Sequence, residues 1–545
     1  MPIEFTLKPA KQKQTKPTQK DTTYIECDDY SKKNEELQKL YTKLWEVADD
    51  LRANSKLRPN QYSTPVLGII FLRYADHRFK QTKKELEKKY KGRRALDKRR
   101  FQQAGALYLD EKARFSYLLN LPEGENIGAA IDDAMKLIEF ENTDLKDALP
   151  KNYSTMEDRI LVSILKNFSI IPTELDRDIF GKIYEYFLSK FAMSEGQRSG
   201  EFYTPTSLVR LIVEILEPFN GKILDPACGS GGMFVQSADF VKEHKLVPAR
   251  EISIYGQELA EQTVRLCKMN LAVHGISADI RQGNTYYRDA FDMIGKFDFV
   301  MANPPFNVNN VDKSEIADDP RYYSIPNVDN ANYLWIQIFH SMLNESGRAG
   351  FVMANSAKEA RYSELEIRKK MIEDGDIDVI ISIAPNFFYT VPLPVTLWFI
   401  DKGKPDETKK NVLFIDARRI FSQVDRSHRE FTNQQIEFIS NIVRLYRNRT
   451  PELLKCSSEL MEEHFPDMKY RDIDGLCKVV SINDIIDKNS SLNPERYIEV
   501  SNGEQDDFDF ITKLNELYEK LNELNQDAKL LEETLMTSIS KLLDG

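Results

Sequence analysis

The sequence predicts an α/β protein: a doubly wound core of buried strands, a helical domain before it, and a helical, coiled-coil tail after it. Three observations carry this. Between about residues 175 and 400, short apolar runs alternate with helix-period segments, the pattern of a mainly parallel sheet covered on both faces. The chain before that stretch places apolar residues at helical spacing, and the chain after it ends in heptads. At 545 residues it also exceeds the roughly 250–300 residues at which one hydrophobic core stops growing. The expected division is a flexible tail over 1–30, a helical domain over 31–170, a catalytic α/β domain over 171–420 and a helical region with a docking helix over 421–545.

Residues 1–30 are polar, with Lys, Gln and Thr repeated and no apolar stretch of a secretory signal. A helix is then expected through Leu37, Leu40, Tyr41, Leu44, Trp45 and Ala48. A second runs from Thr64 to Tyr74, with Pro65 in its first turn, where a missing N–H costs nothing. Between Lys80 and Arg100 stand eleven basic residues against three acids. That stretch is either a solvated helix face or a contact to phosphates. A further helix passes through Ile179, Ile183, Tyr184 and Phe187 to a joint at Gly196–Gly200. The expected strands are 221–225, 252–257, 297–302, 349–354, 377–382 and 394–400. In the tail, Leu514, Leu521, Ala528, Leu535 and Leu542 take one core position of a heptad, and Leu517, Leu524 and Leu531 the other. Such a helix pairs with another helix.

Composition narrows the function. The chain carries 75 basic and 86 acidic residues, a net charge of −11. A protein that grips duplex DNA unaided needs a basic excess to neutralise phosphates, so any action on nucleic acid here requires a partner or a local patch. Five scattered cysteines and six dispersed histidines suggest neither a disulfide framework nor a metal site. No apolar run reaches membrane-spanning length. A cytoplasmic setting is expected.

Three motifs carry chemistry. Ile223-Leu-Asp-Pro-Ala-Cys-Gly-Ser-Gly-Gly232 is a strand ending in an acid, then a glycine-rich turn opening a helix. Glycines let a ligand approach the backbone, and a helix N-terminus offers free N–H donors. The spacing is neither G-x-G-x-x-G nor a Walker loop. Glu258 stands at the tip of the next strand, where an acid suits ribose hydroxyls or the dipole of the following helix. Asn303-Pro304-Pro305-Phe306 ends the strand 297–302. Two prolines stiffen that corner. They aim the Asn303 amide and the Pro304 carbonyl at one point, where two oxygens accept both protons of an amino group. Phe306 offers an apolar face to a planar ring. By itself a Pro-Pro pair is loop punctuation, but at the tip of a buried strand beside a glycine turn it reads as a site.

Asp225-Pro-Ala-Cys-Gly-Ser-Gly-Gly232 followed by Asn303-Pro-Pro-Phe306 resembles the amino-methyltransferases of DNA. More narrowly, the chain resembles the modification (M) subunit of type I restriction–modification systems. Supporting stretches are Leu44-Trp45 with Ala48-Asp49 and Leu51-Arg52, Val66-Leu-Gly-Ile-Ile-Phe-Leu-Arg-Tyr74, Gly200-Glu-Phe-Tyr-Thr-Pro-Thr206, Gly283-Asn-Thr285, Asn386-Phe-Phe-Tyr389 and Pro394-Val-Thr-Leu-Trp398. The resemblance implies a Rossmann-like methyltransferase core that uses S-adenosyl-L-methionine. Glu201, Phe202, Tyr203, Thr204, Pro205, Thr206, Gly229, Ser230, Gly231, Gly232 and Glu258 would contact it, with Asp225 shaping the pocket and Asn284 near its adenine. Asn303, Pro304, Pro305 and Phe306 would hold a flipped adenine for methylation at N6, with Phe388 or Tyr389 stacking on its other side or simply packing in the core. The 78 residues separating Asp225 from Asn303 leave no room for a target-reading domain. Sequence reading is therefore expected from a separate specificity subunit, with a second M subunit and restriction subunits completing the complex on DNA. The same site could instead serve cytosine N4, RNA or a protein glutamine, or be a scaffold without turnover.

Overall fold

The computed structural model describes residues 42, 44–46 and 59–498, apart from 91–96, 123, 170, 172–176, 196–203, 389–392 and 426–427. The expected tail over 1–30 and the heptads from Leu514 to Leu542 lie outside the described residues.

Eleven strands are described: β1 Gly221–Asp225, β2 Ile252–Glu258, β3 Ala278–Gln282, β4 Phe297–Ala302, β5 Leu343–Ala354, β6 Ile377–Ser382, β7 Val395–Asp401, β8 Asn411–Asp416, β9 Ser422–Asp425, β10 His428–Glu430 and β11 Cys477–Ser481. Nine form one sheet in the order β11-β8-β6-β7-β5-β4-β1-β2-β3, and β9 pairs with β10 apart from it. β3, β2, β1, β4 and β5 run parallel, β7 is reversed against β5 and β6, and β11 is reversed against β8. From β1 the chain winds outward to β2 and β3, then returns to lay β4 on the other side of β1. β1 and β4 therefore flank the switch point of a doubly wound sheet, and ligands bind there beyond the strands' carboxyl ends.

The central strands are buried on both faces, which is why they read as continuous apolar runs. On β4, Phe299 and Met301 face one core cluster and Val300 and Ala302 the other. Helices Thr206–Leu216, Gly232–Glu243 and Asn433–Tyr446 supply the first cluster, and helices Asn332–Met342 and Ser363–Glu373 the second.

A third cluster is helical. Helix Pro59–Tyr90 contributes Val66, Ile69, Ile70 and Phe71, and helix Arg177–Glu195 contributes Phe180, Ile183, Tyr184 and Phe187. Trp45 packs its ring 5.3 Å from Phe191 and 5.8 Å from Phe187. Met269 and Val273 of helix Glu261–His274 join this cluster to the sheet's flank.

Two expectations need correction. Pro65 lies inside its helix rather than in the first turn, which Pro59 opens. An interior proline costs about 3 kcal/mol. Here the fully buried run Val66, Leu67, Ile69, Ile70, Phe71 and Leu72 offsets that, and the Pro65 carbonyl accepts from the Tyr153 hydroxyl at 2.8 Å. The region from 421 is also not simply helical. Besides the small β9–β10 pair, β11 completes an edge of the main sheet and helix Asn433–Tyr446 is packed into its core.

Candidate functional site

β1 is anchored by Ile223 and Leu224, which face opposite cores, and it ends in Asp225, 2% exposed. Asp225 Oδ1 accepts from the Ala227 N–H at 3.0 Å. Burial pushes this carboxyl well above the usual carboxylate range. The Ala227 bond pulls it down, and the nearby Glu258 carboxylate pushes it further up.

The turn that follows requires glycine at two points. Gly229 and Gly231 take φ of 51° and 82°, and a Cβ on Gly231 would sit 2.9 Å from the Cys267 Sγ. Gly231 caps helix Gly232–Glu243 without a side-chain hydrogen bond, so the first-turn N–H groups are presented to whatever lies beyond. A Cβ built on Gly229 or Gly232 meets nothing within 4 Å among the described residues, so the space over the turn is open.

Glu258, at the tip of β2, is turned to this bend. Its Oε2 accepts from the Gly229 N–H and its Oε1 from the Ala260 N–H, each at 3.0 Å. Every carboxylate oxygen has a second acceptor site, so the braced group can still receive two hydroxyls. The residues therefore suit a ligand bearing a diol and an anionic group. Asn270, buried on helix Glu261–His274, donates through Nδ2 to the Ser230 carbonyl at 2.8 Å and holds the turn in place. Sequence reasoning missed it; the available signal was an amide between Met269 and Leu271 on a helix otherwise apolar there. Thr285 Oγ1 donates to the Pro226 carbonyl at 2.6 Å, tying the 283–287 segment to the same bend. Asn284 is half-buried, and its Oδ1 closes a local turn onto the Tyr286 N–H at 3.1 Å.

β4 delivers Asn303 beside this bend. Ile223 and Leu224 pair in parallel with Phe299 and Val300, and neighbouring strands lie about 4.8 Å apart. The residues leaving β4 thus emerge next to those leaving β1. Asn303 is half-buried, Pro304 buried, and Pro305 and Phe306 half-buried. Asn303 Nδ2 donates to Thr204 Oγ1 at 2.9 Å. The Phe306 ring stands edge-on to Phe388, centroids 6.2 Å apart at 84°. Phe388 is itself buried, so as it stands it walls the Phe306 side of the corner.

Asn307 is a second missed residue. It holds φ at 53°, a conformation Asn tolerates better than most. Its Oδ1 accepts from the Nδ2 groups of Asn332 and Asn330 at 3.0 and 3.1 Å, and its N–H donates to Asn332 Oδ1 at 3.0 Å. The diproline corner is thereby clamped to the start of helix Asn332–Met342. The loop beyond is pinned back to the 283–287 segment: Arg321 Nη1 donates to the Thr285 carbonyl at 2.8 Å and Tyr322 to the Tyr286 carbonyl at 2.7 Å.

Of the other expected residues, Pro205 is buried at the start of helix Thr206–Leu216, with Thr204 and Thr206 half-buried beside it. Glu201, Phe202, Tyr203 and Tyr389 lie outside the described residues. In the basic stretch, Lys80 pairs with Asp76, Lys98 with Glu141, and Arg100 lies over the Tyr90 ring, while Lys84, Lys88, Lys89 and Arg99 are exposed. Among the described residues no cluster of His, Cys, Asp and Glu suits a metal ion, and no helix is long and apolar enough to cross a membrane.

Residues 175–506 match the family described as N-6 DNA Methylase, and residues 40–168 match the HsdM N-terminal domain. The type I restriction enzyme MjaIX methylase subunit of Methanocaldococcus jannaschii is 38% identical over 92% of this chain and 90% of its own length. The HindI methylase subunit of Haemophilus influenzae is 34% identical over 77% of this chain and 92% of its own. The fold is like that of a type I restriction-modification system methyltransferase subunit from Streptococcus thermophilus, at a TM-score of 0.68 and 22% identity, covering 85% of this chain and 100% of that one.

Proposed function

The chain belongs to the N-6 DNA methylase family, and from that premise we propose that it is the modification subunit of a type I restriction–modification system. In this reading it moves a methyl group from S-adenosyl-L-methionine to N6 of an adenine in DNA. The observation that carries it is the arrival of Asn303, on a diproline corner, beside the glycine bend of the neighbouring parallel strand. The N-6 description of the family favours adenine over cytosine N4, RNA or protein glutamine.

The cofactor, when bound, supplies an activated methyl on a sulfonium. The open bend at Gly229, Ser230, Gly231 and Gly232, the uncapped helix start, the braced Glu258, Asp225 and Asn284 would hold it, with Glu201 to Thr206 as further contacts. Glu258 suits the ribose hydroxyls, and the helix start suits the carboxylate. The protein's own work is on the base. Asn303 Oδ1 and the Pro304 carbonyl accept the two amino protons, which draws the nitrogen lone pair out of conjugation with the ring and stabilises the positive charge that develops. Phe306 stacks on the purine and offsets the few kcal/mol lost when the base leaves the duplex. Pro305, the second proline of the corner, keeps it rigid, and the Asn307 clamp holds it on the helix start, so the geometry is set before the base arrives.

DNA is the substrate, and a separate specificity subunit reads it. A second modification subunit and restriction subunits complete the assembly, and the protein acts in the cytoplasm. The helical unit ending near 170 and the heptads beyond 514 supply contacts to these partners. The test is Asn303→Ala in the complex with the specificity subunit. Adenine methylation should fall by about 10²–10³-fold while S-adenosyl-L-methionine binding, read by calorimetry, stays within twofold. A variant that methylates adenine at the wild-type rate would sink the assignment.

A further inference from the structure

The geometry points to Tyr362 as a DNA-contact residue outside the diproline corner: its ring stacks on a base of the target duplex next to the extruded adenine, with the Arg361 guanidinium beside it on a phosphate. The inference rests on the DNA-methylating role proposed above and names a further contact to the same substrate.

Tyr362 costs the fold on two counts. Its backbone stands at φ 57° and ψ −130°, a region that glycine enters freely and in which a bulky side chain is strained. Its side chain is 79% exposed, more than any other large hydrophobic residue described, so the ring gains little from burial in return. Backbone strain of this kind persists where the surroundings impose it, and it collects at sites of function. The surroundings here are firm. Arg368, 2% exposed, donates through Nη1 to the Ala360 carbonyl at 2.8 Å and through Nε to the Ser490 carbonyl at 2.6 Å. The Leu492 N–H donates to the Lys358 carbonyl at 2.9 Å. The segment from 355 to 362 is thus held from beneath while Arg361 and Tyr362 stand out from it.

The segment lies on the rim of the base site. β5 runs parallel to β4 with Phe351 beside Ala302, so both strands end on the side where Asn303 to Phe306 stand. The chain leaving β5 passes Ser356, whose Oγ lies 3.5 Å from Asn307 Oδ1, and reaches Tyr362 six residues later. On its other side Ser363 Oγ accepts from the Asn327 N–H at 2.9 Å, and Asn330, three residues on, donates to the same Asn307 oxygen at 3.1 Å. Tyr362 is therefore tied from both directions to the residue that follows Phe306. A duplex that presents a base to Phe306 lays the flanking nucleotides along this rim. Extrusion of the adenine leaves its neighbours each with one bare face, and an aromatic ring stacks on any base, whatever its sequence. The neighbouring exposed Arg361 supplies the cation for the backbone. A ring set between Arg361 and Ser363 suits one stacked base better than a protein interface, whose core is several apolar side chains wide.

The experiment uses the complete complex with its specificity subunit and a duplex holding the target site. Tyr362→Gly removes the ring and suits the backbone, so the variant should melt at or above the wild type. Its Kd for the duplex should weaken by about 5–150-fold, the worth of one base–aromatic stack. The loss should fall on KM for DNA more than on kcat, since the ring does not touch the reacting amine. Tyr362→Phe keeps the ring and should bind within twofold of the wild type. Arg361→Gln should reduce the salt slope of binding by about one. A Tyr362→Gly complex that binds the duplex within twofold of the wild type overturns the inference. So does a Tyr362→Gly chain that melts well below the wild type, which would make the ring a prop of the fold, or one that no longer co-elutes with the specificity subunit, which would give the ring to a protein partner. A wild-type complex that makes no N6-methyladenine overturns instead the reading on which the inference rests.

Discussion

Asp225 is an acid in a place that resists charge. It is 2% exposed, and among the described residues its carboxylate accepts one backbone N–H, from Ala227. Its folded pKa lies above the ordinary value near 3.8 because burial disfavours the ionised form, with Glu258 adding repulsion. The folded state therefore holds a proton that the unfolded state has released. The group favours folding below the unfolded pKa, and that contribution is lost as pH rises through the raised folded pKa. Asp225→Asn keeps an oxygen for the Ala227 bond and cannot ionise. It should melt above the wild type by about 2–4 °C at pH 8, with the gap closing toward pH 4. A gap that widens on acidification would show that the ionised carboxylate is favoured in the fold. This residue also marks how far the sequence was legible. Acid, glycine turn and diproline corner each stand in one short segment, so their chemistry can be read in order. Asn270 and Asn307 act through partners, at Ser230 and at Asn330 and Asn332. Nothing local in the sequence announces those pairings, and they appear only when the helices are packed.

At the scale of elements, strands buried on both faces were the legible ones. The runs at 297–302 and 377–382 coincide with β4 and β6. β3 was not foreseen because Ala-Asp-Ile-Arg-Gln is an edge strand with polar residues exposed, and β11 because Cys477 to Ser481 buries only two of its five side chains. β8 was missed although Val412, Leu413, Phe414 and Ile415 are as apolar as any recognised run. What ties the later elements to the sheet is still less visible in sequence. Arg447, at the end of helix Asn433–Tyr446, reaches Asp378 on β6 through Nη2 at 2.8 Å and the Ile215 carbonyl through Nη1 at 2.7 Å. Lys404 Nζ lies 3.8 Å from the same aspartate. Asp378 and Lys404 are 3% and 2% exposed and Arg447 10%, so removing Asp378 would take from two interior cations their strongest counter-charge, leaving the weaker influence of Asp401. Asp378→Ala should lower unfolding stability by about 3–5 kcal/mol, the cost of breaking a buried pair from one side. Arg447→Met combined with Asp378→Leu should recover part of the loss in urea unfolding. Equal loss in the single and double variants would mean that packing, not charge, is what the substitution disturbs.

The whole molecule carries a charge of −11 and yet is proposed to act on a polyanion. Long-range attraction to DNA must then come from elsewhere in the assembly, with the exposed Lys84, Lys88, Lys89 and Arg99 as a local supplement. That makes the docking of partners a condition of function rather than an accessory to it. We propose the heptads as the attachment: in the sequence, Leu514, Leu517, Leu521, Leu524, Ala528, Leu531 and Leu535 fall at alternating heptad positions of a segment holding eleven acids and four lysines from Ser501 onward. An acidic amphipathic helix selects a partner helix with a matching apolar seam and basic flanks. Replacing Leu521 and Leu524 together by Lys places two charges on that seam and spares every residue of the sheet. The full-length variant should bind S-adenosyl-L-methionine with unchanged affinity and should melt with the wild type. On gel filtration with the specificity subunit it should fail to co-elute, and adenines at the target sites should stay unmodified. Co-elution at wild-type strength would move the attachment to the helical unit before residue 170, whose exposed basic helix would then have to carry both the partner and the phosphates.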